Sequence, residues 1–509
     1  MEILGSLIIA ILQSILFYGK EVGISVILFT IATVGIIWYI LDKKKKILNI
    51  KAIILLIPIV LLSSTYFIYG NTTFHFTNII AIFTLILLMF KMATTEKCIT
   101  KDILVKSIQL PYKAIAEVAD AKEETSKIIK KVSKNKIPKE NLNKIISSIF
   151  IVIIVVGIVI MLLASADSIF ASIFSGISNI IDSINIGTIG NLILRTVICI
   201  VVYFAILSII LAIQKNIESE TKTINTDKFT IKMLLVVLNI VYLVFCYIQI
   251  TSLFAKLNAS GTFNYSQYAR SGFFQLMFVS LINFVLIFVS NYKNEKRDKF
   301  IKILNIILVI FTIIIILSSM YRMHMYETEY GFTYLRLIVY IILITELILF
   351  VPTAIYVCTP KIDILKWGGI IGLCVYVVIN FVNLENIIIN RNLTRQESNV
   401  EVDYEYISKI ASSDSYFTLV ELLKDEQVSA KNKIKIYRSL GDILRNSREM
   451  KWQEFNISRY RIKDKKLNEI VDFEELEIKA MKEEREEEYR KNKEEKTNNF
   501  VQNSSGKVS

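Results

Sequence analysis

The sequence predicts an all-α fold, a polytopic helical membrane protein of about eleven spans with a small extracytoplasmic helical domain near its C-terminus. Hydrophobic residues make up 53% of the 509-residue chain, and its mean hydropathy of +0.51 is high for a soluble domain. Apolar runs close to the ~18–20 residues that cross a bilayer recur along the chain. Lysines gather in alternate loops between these runs, as the positive-inside rule expects of a membrane protein.

The apolar runs form a group of four and, after a polar linker, a group of seven. The first run is short and contains Gln13 and Ser14, so it either crosses the membrane or lies in the interface. The predicted spans are 3–18, 23–41, 52–69, 78–92, 146–164, 191–213, 230–254, 272–290, 301–319, 335–358 and 367–385.

The loop 42–51 sets the predicted orientation of the chain. It contains four consecutive lysines, Lys43 to Lys46, which are typical of a cytoplasmic loop. Counting crossings from it puts the other lysine-rich loops inside, together with the N-terminus, and brings the chain outside near residue 386. Cys98 is then cytoplasmic, whereas Ser266 and Ser412 face outward.

Five segments follow from these boundaries. Residues 1–92 form a four-span unit, 93–145 a cytoplasmic linker, 146–385 a seven-span core, 386–470 an extracytoplasmic helical domain, and 471–509 a charged helix with a disordered tail. The lysine-rich linker suits an amphipathic helical pair against anionic lipid, with a regulatory domain as the alternative. In the helical domain, apolar spacing predicts helices over 404–411, 414–424 and 430–446, with Ser413 or Asp414 as an N-cap.

Composition and motifs exclude several classes of function. The formal charge of +13 reflects lysines in loops, so no nucleic-acid partner is implied. The chain has no phosphate-binding glycine loop, Cys-x-x-Cys pair, histidine cluster or nucleophile elbow, which argues against ATP-driven transport within this chain and against zinc proteolysis. No cofactor and no metal are expected. The expected partners are membrane lipids, together with an extracytoplasmic protein or an envelope substrate.

Three outward-facing motifs are candidates for a polar site. The first, where a loop enters the span 272–290, contains Tyr268, Arg270 and Gly272. Aromatic and arginine residues also mark ordinary helix starts at a membrane interface, so an anchored helix end is the alternative.

The second motif lies in the predicted loop 320–334 and runs into the next span. It contains Arg322, Tyr326, Glu327, Tyr330, Gly331, Thr333 and Arg336. Glu327 and Glu329 could act as acid and base, or bind a cation, but two carboxylates two residues apart more often pair with neighbouring arginines. We expect Glu327 to pair with Arg270 or Arg336.

The third motif ends the last span and contains Asn383, Glu385, Arg391 and Asn392. Asparagines at 380, 383, 386 and 390 are spaced to form a polar stripe on one side of a helix, which should face the bundle. A separate candidate is Glu346, halfway along the span 335–358, with Asn283 and Asn239 as its expected partners near the midplane. Glu346 either stabilises the bundle through interhelical hydrogen bonds or acts as a protonatable switch.

The motifs Tyr-Ala-Arg-x-Gly-Phe-Phe at 268–274, Arg-Met…Tyr-Gly-x-Thr…Arg at 322–336, Asn-x-Glu…Arg-Asn at 383–392 and Trp452…Asn456 resemble bacterial membrane proteins of the domain of unknown function 4173, related to 4153. The resemblance covers roughly 146–460. It implies a multi-pass protein of the bacterial cytoplasmic membrane and carries no known activity.

Two functional hypotheses follow. One is an envelope transporter or a handler of lipid-linked substrates, with an outward-facing polar site. The other is a non-catalytic envelope sensor or assembly scaffold that binds a partner outside. A membrane enzyme acting on the outer face through Glu327 is a weaker third hypothesis.

Overall fold

The structure is a computed structural model, and it describes residues 1–96, scattered positions between 103 and 114, and 117–132, 187–214, 228–257, 273–292, 298–359, 362–394, 402–486 and 488–489. The regular secondary structure of these residues is helical. The chain divides into two compact units. Unit 1 comprises Met1–Ser64, Thr77–Ser219 and Lys451–Glu454, and unit 2 comprises Thr65–Phe76, Glu220–Met450 and Phe455–Ser509.

Within the described residues, six helices are long and apolar enough to cross a membrane, so the protein is a helical membrane protein. They are Ile24–Lys43, Ile50–Ile68, His75–Ala93, Leu194–Gln214, Lys299–Thr328 and Tyr334–Cys358. The bent pair Ile364–Asn380 and Leu384–Thr394 makes a seventh if it is counted as one span, and Glu2–Phe17, Ile231–Tyr247 and Leu276–Asn291 are shorter apolar helices. The predicted span 146–164 lies outside the described residues, and the total of about eleven stays a prediction.

Unit 1 is a set of helices, of which the first and the last two pack together around Ala10, Ala121, Tyr203 and Leu207. The helices that contribute to it are α1 (Glu2–Phe17), α2 (Ile24–Lys43), α3 (Leu56–Ile68, after a 3₁₀ turn at Ile50–Leu55), α4 (His75–Ala93), α5 (Val118–Val132) and α6 (Gly187–Gln214). The last residues of α3 and the first of α4 belong to unit 2.

Helix α1 runs antiparallel along α6. Near one end, Gln214 Nε2 donates to Glu2 Oε1 at 2.6 Å, and Lys44 of the lysine loop binds the same carboxylate. Near the other end, Arg195 Nε donates to Ser14 Oγ at 2.7 Å. Helix α1 therefore lies along the apolar stretch Leu194–Gln214 of α6, and its crossing of the membrane stays a prediction.

The bundle of unit 2 is centred on α9 (Lys299–Tyr330), which packs against α7 (Lys228–Leu257), α8 (Phe273–Tyr292) and α10 (Tyr334–Cys358). Its buried core includes Leu235, Ile287, Leu308, Ile316, Leu343 and Phe350. The Asp298 carboxylate caps the start of α9 by accepting from Phe300 N at 2.9 Å, and it also pairs with Lys232 of α7.

The structure corrects two boundaries. Helix α9 continues to Tyr330, so most of the predicted loop 320–334 is helical; α9 ends at Gly331, whose φ of 80° suits glycine. The predicted last span ends earlier, at Asn380 of α11 (Ile364–Asn380), and α12 (Leu384–Thr394) follows after a bend of 70°. The asparagine stripe therefore does not lie along one helix, because Asn383 Oδ1 instead accepts from Asn386 N at 3.1 Å and caps α12.

Four helices after residue 402, which we call the tail helices, share a second core. They are α13 (Tyr404–Ile410), α14 (Tyr416–Lys424), α15 (Ala430–Arg448) and α16 (Ile457–Ile462), close to the predicted stretches. Tyr416, Leu419, Ile436, Leu440 and Ile462 are almost fully buried in this core. Residues 473–486 are also helical, and Glu483 Oε2 accepts from Ala430 N at 2.8 Å, which caps α15.

Candidate functional site

A buried carboxylate, Glu385, lies in the first turn of α12 and is only 1% exposed. Its Oε1 accepts from Asn71 Nδ2 at 2.5 Å, and its Oε2 accepts from Ser412 N at 3.1 Å and Ser412 Oγ at 2.8 Å. Asn71 lies between α3 and α4, and Ser412 lies between α13 and α14. One side chain thus joins three segments of unit 2 that are distant in sequence.

Asp414 strengthens the same junction. Its two carboxylate oxygens accept from Gly70 N at 3.0 Å and Asn71 N at 2.9 Å, and its backbone carbonyl accepts from Asn383 Nδ2 at 3.1 Å. The prediction that Ser413 or Asp414 caps α14 is therefore wrong, since Ser415 occupies the N-cap and Asp414 turns to the backbone of residues 70–71.

Two tyrosines connect this junction to α10. Asn71 Nδ2 also donates to the Tyr334 hydroxyl, at the first residue of α10, and Tyr334 N donates to the Tyr406 hydroxyl of α13 at 2.9 Å. Burial raises the pKa of the Tyr406 phenol, so this hydroxyl stays neutral at physiological pH. We call Asn71, Tyr334, Glu385, Tyr406, Ser412 and Asp414 the Glu385 network.

The environment of Glu385 favours its neutral form. Helix α12 has 11 residues, roughly 16 Å at ~1.5 Å per residue, and is too short to span a bilayer by itself. Burial raises the pKa of Glu385 to about 7, and the nearby Asp414 charge adds to this, whereas the hydrogen bonds from Ser412 act in the opposite direction. A carboxyl with this pKa changes its proton occupancy near neutral pH.

A cleft of about 470 Å³ opens beside the network, within the ~300–1,000 Å³ range of small-ligand sites. Most of the residues that line it have polar side chains, and two of them, Lys409 and Arg459, are cationic. The cleft is lined by Gly70, Asn71, Thr72, Thr73, Tyr334, Glu385, Tyr406, Lys409, Ile410, Ala411, Ser412, Ser413, Ile443, Asn446, Ser447 and Arg459. Across the described part of the chain, no group of three His, Cys, Asp or Glu residues could hold a metal.

The second predicted motif forms a compact turn between α9 and α10. The Arg336 guanidinium donates to the carbonyl of Tyr330 at 2.9 Å and to that of Gly331, and it lies over the Tyr326 ring at 4.4 Å from the centroid. Thr333 caps α10 by accepting from Arg336 N at 3.5 Å. Arg336 therefore fixes the end of α9 through backbone and ring contacts.

The predicted pairing of Glu327 with Arg336 does not occur. Glu327 Oε2 instead accepts from the Tyr340 hydroxyl at 3.0 Å and lies 3.6 Å from His324 Nδ1. The reason is helical geometry, because α9 continues through Glu327 and directs it toward Tyr340 of α10, while Arg336 reaches the carbonyls at the helix end.

The remaining predicted site residues are divided among several places. Asn392 exchanges two hydrogen bonds with the backbone of Phe332, at 2.7 and 3.0 Å, and so connects α12 to the α9–α10 turn. Arg322 is buried in α9, and Arg391 is exposed on α12. Tyr268, Arg270 and Gly272 lie outside the described residues, so the pairing of Arg270 with Glu327 stays a prediction.

Glu346 is buried in α10, but its hydrogen bond is not to the predicted amides. Ser280 Oγ of α8 donates to Glu346 Oε2 at 2.5 Å. Asn283 accepts from the Tyr242 hydroxyl at 2.8 Å and donates to Thr312 Oγ1 at 3.0 Å, while Asn239 donates to the Leu304 carbonyl at 3.1 Å. Ser280 lies on the same helix as the predicted partner Asn283, about one turn away.

We expect Glu346→Gln to leave the free energy of unfolding within about 1 kcal/mol of wild type, because the amide oxygen can still accept from Ser280. Thermal unfolding in detergent measures this, with Glu346→Leu as the variant that lacks an acceptor. A stably folded Glu346→Gln protein that fails to complement a deletion strain would favour a protonatable switch over a purely stabilising role. A Glu346→Gln protein that unfolds like Glu346→Leu would contradict the hydrogen-bond argument.

Several residues of the site were not singled out by their sequence pattern. Asn71 lies in a short loop without acids or lysines, and Asp414 resembles an ordinary helix cap. The available signal was the polar run Gly-Asn-Thr-Thr at 70–73 between two spans, on the predicted outer side with Glu385.

Comparison with known proteins identifies a family and no activity. The family model described as Domain of unknown function (DUF4153) matches residues 56–422, more than half of the chain. No curated protein and no solved structure matches. The match begins in the first group of spans, earlier than the motifs indicated, and it is to DUF4153; membership of 4173 is not confirmed. The matched region contains the whole Glu385 network, and the chain belongs to the family of DUF4153 proteins.

Proposed function

We propose that this protein is a multi-pass protein of the bacterial cytoplasmic membrane that binds a small polar envelope substrate, carrying an anionic group, in the Glu385 cleft. The observation that carries the proposal is the cleft itself, about 470 Å³ in volume and lined by polar groups from the tail helices, the 70–73 loop and the start of α10. Lys409 and Arg459 supply positive charge, and Glu385, whose pKa is raised to about 7, opposes an anion less than a fully ionised carboxylate would.

The proposed activity is transport or handling of that substrate. Helix α10 begins with Tyr334, a wall of the cleft, and carries Glu346 twelve residues later, roughly 18 Å along the helix at ~1.5 Å per residue. A ligand that contacts Tyr334 can therefore act on the helix that also carries the buried carboxyl. This shared helix supports a transporter or lipid-linked substrate handler with an outward-facing site.

A ligand screen on the purified full-length protein tests the proposal. Small phosphates, carboxylates and sugar phosphates should include at least one compound that raises the unfolding temperature, because a ligand at ~100 times its Kd stabilises the folded state by about 2.7 kcal/mol. Lys409→Ala and Arg459→Ala should each reduce this shift, and Lys424→Ala, on the exposed side of α14, should not. A shift that persists in both cleft variants, or no shift with any compound, would argue against binding in the cleft.

A sensor or assembly scaffold is the second candidate. It is favoured by the Glu385 network itself, in which Ser412, between two of the tail helices, and Asn71, in the loop between α3 and α4, share one carboxylate. In this case a partner on the tail helices would act on the bundle through the same residues. Crosslinking in intact cells would then recover a protein partner even when Lys409 and Arg459 are replaced.

The proposed orientation places the cleft outside the cell, with the N-terminus inside. It is supported by two contacts, each between segments that the predicted topology places on one side of the membrane. In unit 1, Glu2 pairs with Lys44, and both are predicted to lie inside. In unit 2, Asn71 donates to Glu385, and both are predicted to lie outside.

We expect an impermeant thiol reagent applied to intact cells to label Ser429→Cys, an exposed position at the start of α15, and to spare native Cys98. Ser429 replaces Ser412 as the reporter because Ser412 is engaged by Glu385. Each cysteine is tested alone in a chain without the others, and permeabilised cells provide the labelling maximum. Labelling of Cys98 alone in intact cells would reverse the orientation.

A further inference from the structure

A series of buried polar side chains runs through the bundle of unit 2, and it begins close to the place where α8 ends and α9 starts. There, Ser290 Oγ of α8 donates to Asn305 Oδ1 of α9 at 3.0 Å. The carbonyl of Leu304, the preceding residue of α9, accepts from Asn239 Nδ2 of α7 at 3.1 Å. Since α8 ends at Tyr292, two residues after Ser290, this first step lies near the end of the bundle.

The series continues one turn further into the bundle. Tyr242 follows Asn239 by three residues on α7, so the two side chains lie on the same side of the helix. The Tyr242 hydroxyl donates to Asn283 Oδ1 of α8 at 2.8 Å, and Asn283 Nδ2 donates to Thr312 Oγ1 of α9 at 3.0 Å. Three helices therefore contribute to one hydrogen-bonded group at this level.

The series ends at Glu346 of α10. Ser280, one turn from Asn283 on α8, donates to Glu346 Oε2 at 2.5 Å. Ser280 is ten residues from Ser290, about 15 Å along α8 at ~1.5 Å per residue. Apart from the half-buried Tyr242, the side chains that lead to Glu346 are buried. We call them the polar ladder: Asn239, Tyr242, Ser280, Asn283, Ser290, Asn305 and Thr312.

The polar ladder leaves Glu346 in one direction along α10. Helices α8 and α10 run the same way, because the hydrogen bond to Glu346 is followed, further along both helices, by the stacking of Phe288 on Tyr356 with centroids 6.4 Å apart. The ladder therefore runs toward the C-terminal end of α10. In the opposite direction, the buried residues of α10 are Leu343 and Val339, which belong to the apolar core.

Two atoms of the polar ladder have unused hydrogen-bonding capacity. Within the part of the chain that the structure describes, Asn239 Oδ1 and Asn305 Nδ2 are buried without a hydrogen-bond partner. One is an acceptor and the other a donor, and they lie at the same level because Asn239 is bonded to Leu304, the residue before Asn305. Water both donates and accepts, so it is the small molecule that satisfies such a pair in a buried site.

Glu346 has no charged group to pair with on the three helices that form the ladder. Residues 233–255 in α7, 273–292 in α8 and 303–321 in α9 contain no Asp, Glu, Lys, Arg or His. An unpaired carboxylate is costly among apolar helices in a membrane, so Glu346 is expected to rest in its neutral form. A neutral carboxyl carries a proton that it can release to water.

We propose that the polar ladder is a proton path, which holds water at Asn239 and Asn305 and connects Glu346 with the aqueous phase at the Ser290 end of the bundle. Glu346 releases one proton, which leaves at that end, and the carboxylate takes one back by the same route, so nothing else is consumed. The hydroxyls of Tyr242 and Ser280 accept and donate protons in turn, while the amides orient the water. The path lies within the bundle of unit 2 and does not depend on ligand binding in the Glu385 cleft.

Hydrogen–deuterium exchange followed by infrared spectroscopy tests the path in the full-length protein. At about pH 6, where exposed carboxyls are ionised, the protein is moved from H₂O to D₂O and the C=O stretch of protonated carboxyls is recorded over time. The part of this band that is absent from Glu346→Gln belongs to Glu346. Asn239→Leu and Asn305→Leu should each slow its shift at least roughly tenfold, because an apolar side chain of similar size removes a binding site for water.

Thr345→Val is the matched control. Thr345 is next to Glu346 on α10 and half-buried, but its hydroxyl donates to the Ile341 carbonyl of its own helix at 2.6 Å, so this variant should exchange at the wild-type rate. Tyr242→Phe removes only a hydroxyl and gives a second interruption of the path if an asparagine variant does not fold. Wild-type exchange rates in all the ladder variants, equal slowing by Thr345→Val, or a spectrum without a Glu346 carboxyl band would each overturn the proposal.

Discussion

Replacing Glu385 with alanine is expected to lower the free energy of unfolding by roughly 3 kcal/mol or more, because Asn71 Nδ2, Ser412 N and Ser412 Oγ lose their shared acceptor in a buried site. Unfolding of the purified protein in detergent at pH 5 measures the change. Glu421→Ala, an exposed glutamate on α14, is the matched control and should unfold near wild type.

The pH dependence of the same site gives a second readout. The pKa of Glu385 rises from 4.5 to about 7 in the folded state, so the folded protein binds this proton more tightly than the unfolded chain. The resulting stabilisation is fully present below pH 4.5 and is lost as the pH rises through about 7. Between these pH values the free energy of unfolding of wild type should fall by on the order of 3 kcal/mol. A variant that cannot titrate at this position should not show this fall.

Glu385→Gln isolates this titration. It keeps the size of the side chain and one acceptor oxygen, but it cannot ionise, so its stability should depend less steeply on pH between about 4.5 and 7 than that of wild type. Parallel stability curves for wild type and Glu385→Gln would show that Glu385 does not titrate in this range. An alanine variant as stable as Glu421→Ala would show that the network contributes nothing measurable.

The class of the fold, a helical membrane protein, is predictable from composition and periodicity. Long apolar runs and lysine-rich loops are physical requirements of crossing a bilayer, so they are visible in a single sequence. The helix ends are less predictable because they depend on individual residues. Gly331 ends α9 through its positive φ, and Asn383 begins α12 by capping it, and neither event changes the hydrophobic pattern.

The candidate site was predictable only in part. Glu385 stands out because a carboxylate at the end of an apolar run needs a partner. Its partners, Asn71 and Ser412, are 314 and 27 residues away in sequence, and small polar residues of this kind occur in every loop. The partner of Glu346 was predictable to the same extent. The rise per residue gives the depth of a side chain in the bundle, and so it pointed to α8. It does not give the direction in which each side chain of α8 points, which is what makes Ser280 the partner and not Asn283.

Asn456 is expected to be the most sensitive position of the tail segment. It is only 4% exposed, its amide donates to two carbonyls at the end of α3, and its Oδ1 accepts from Arg459 N at 3.1 Å to cap α16. Asn456→Ala should cost about 2–4 kcal/mol of unfolding free energy, because it removes an N-cap and leaves two carbonyls without this donor. Asn446→Ala, on the exposed side of α15, should be neutral or slightly stabilising.

Asn456→Asp separates the two roles of this side chain. Aspartate caps a helix as well as asparagine does, so the contact with Arg459 N survives. Its carboxylate, however, has no N–H to donate and would face the Tyr66 and Tyr69 carbonyls, which repel it in a buried site. We therefore expect Asn456→Asp to unfold at least as easily as Asn456→Ala at pH 7, and to recover partly in acid as the carboxyl gains a proton that it can donate. An Asn456→Asp protein as stable as wild type would show that capping of α16, and not the attachment to α3, is what Asn456 provides.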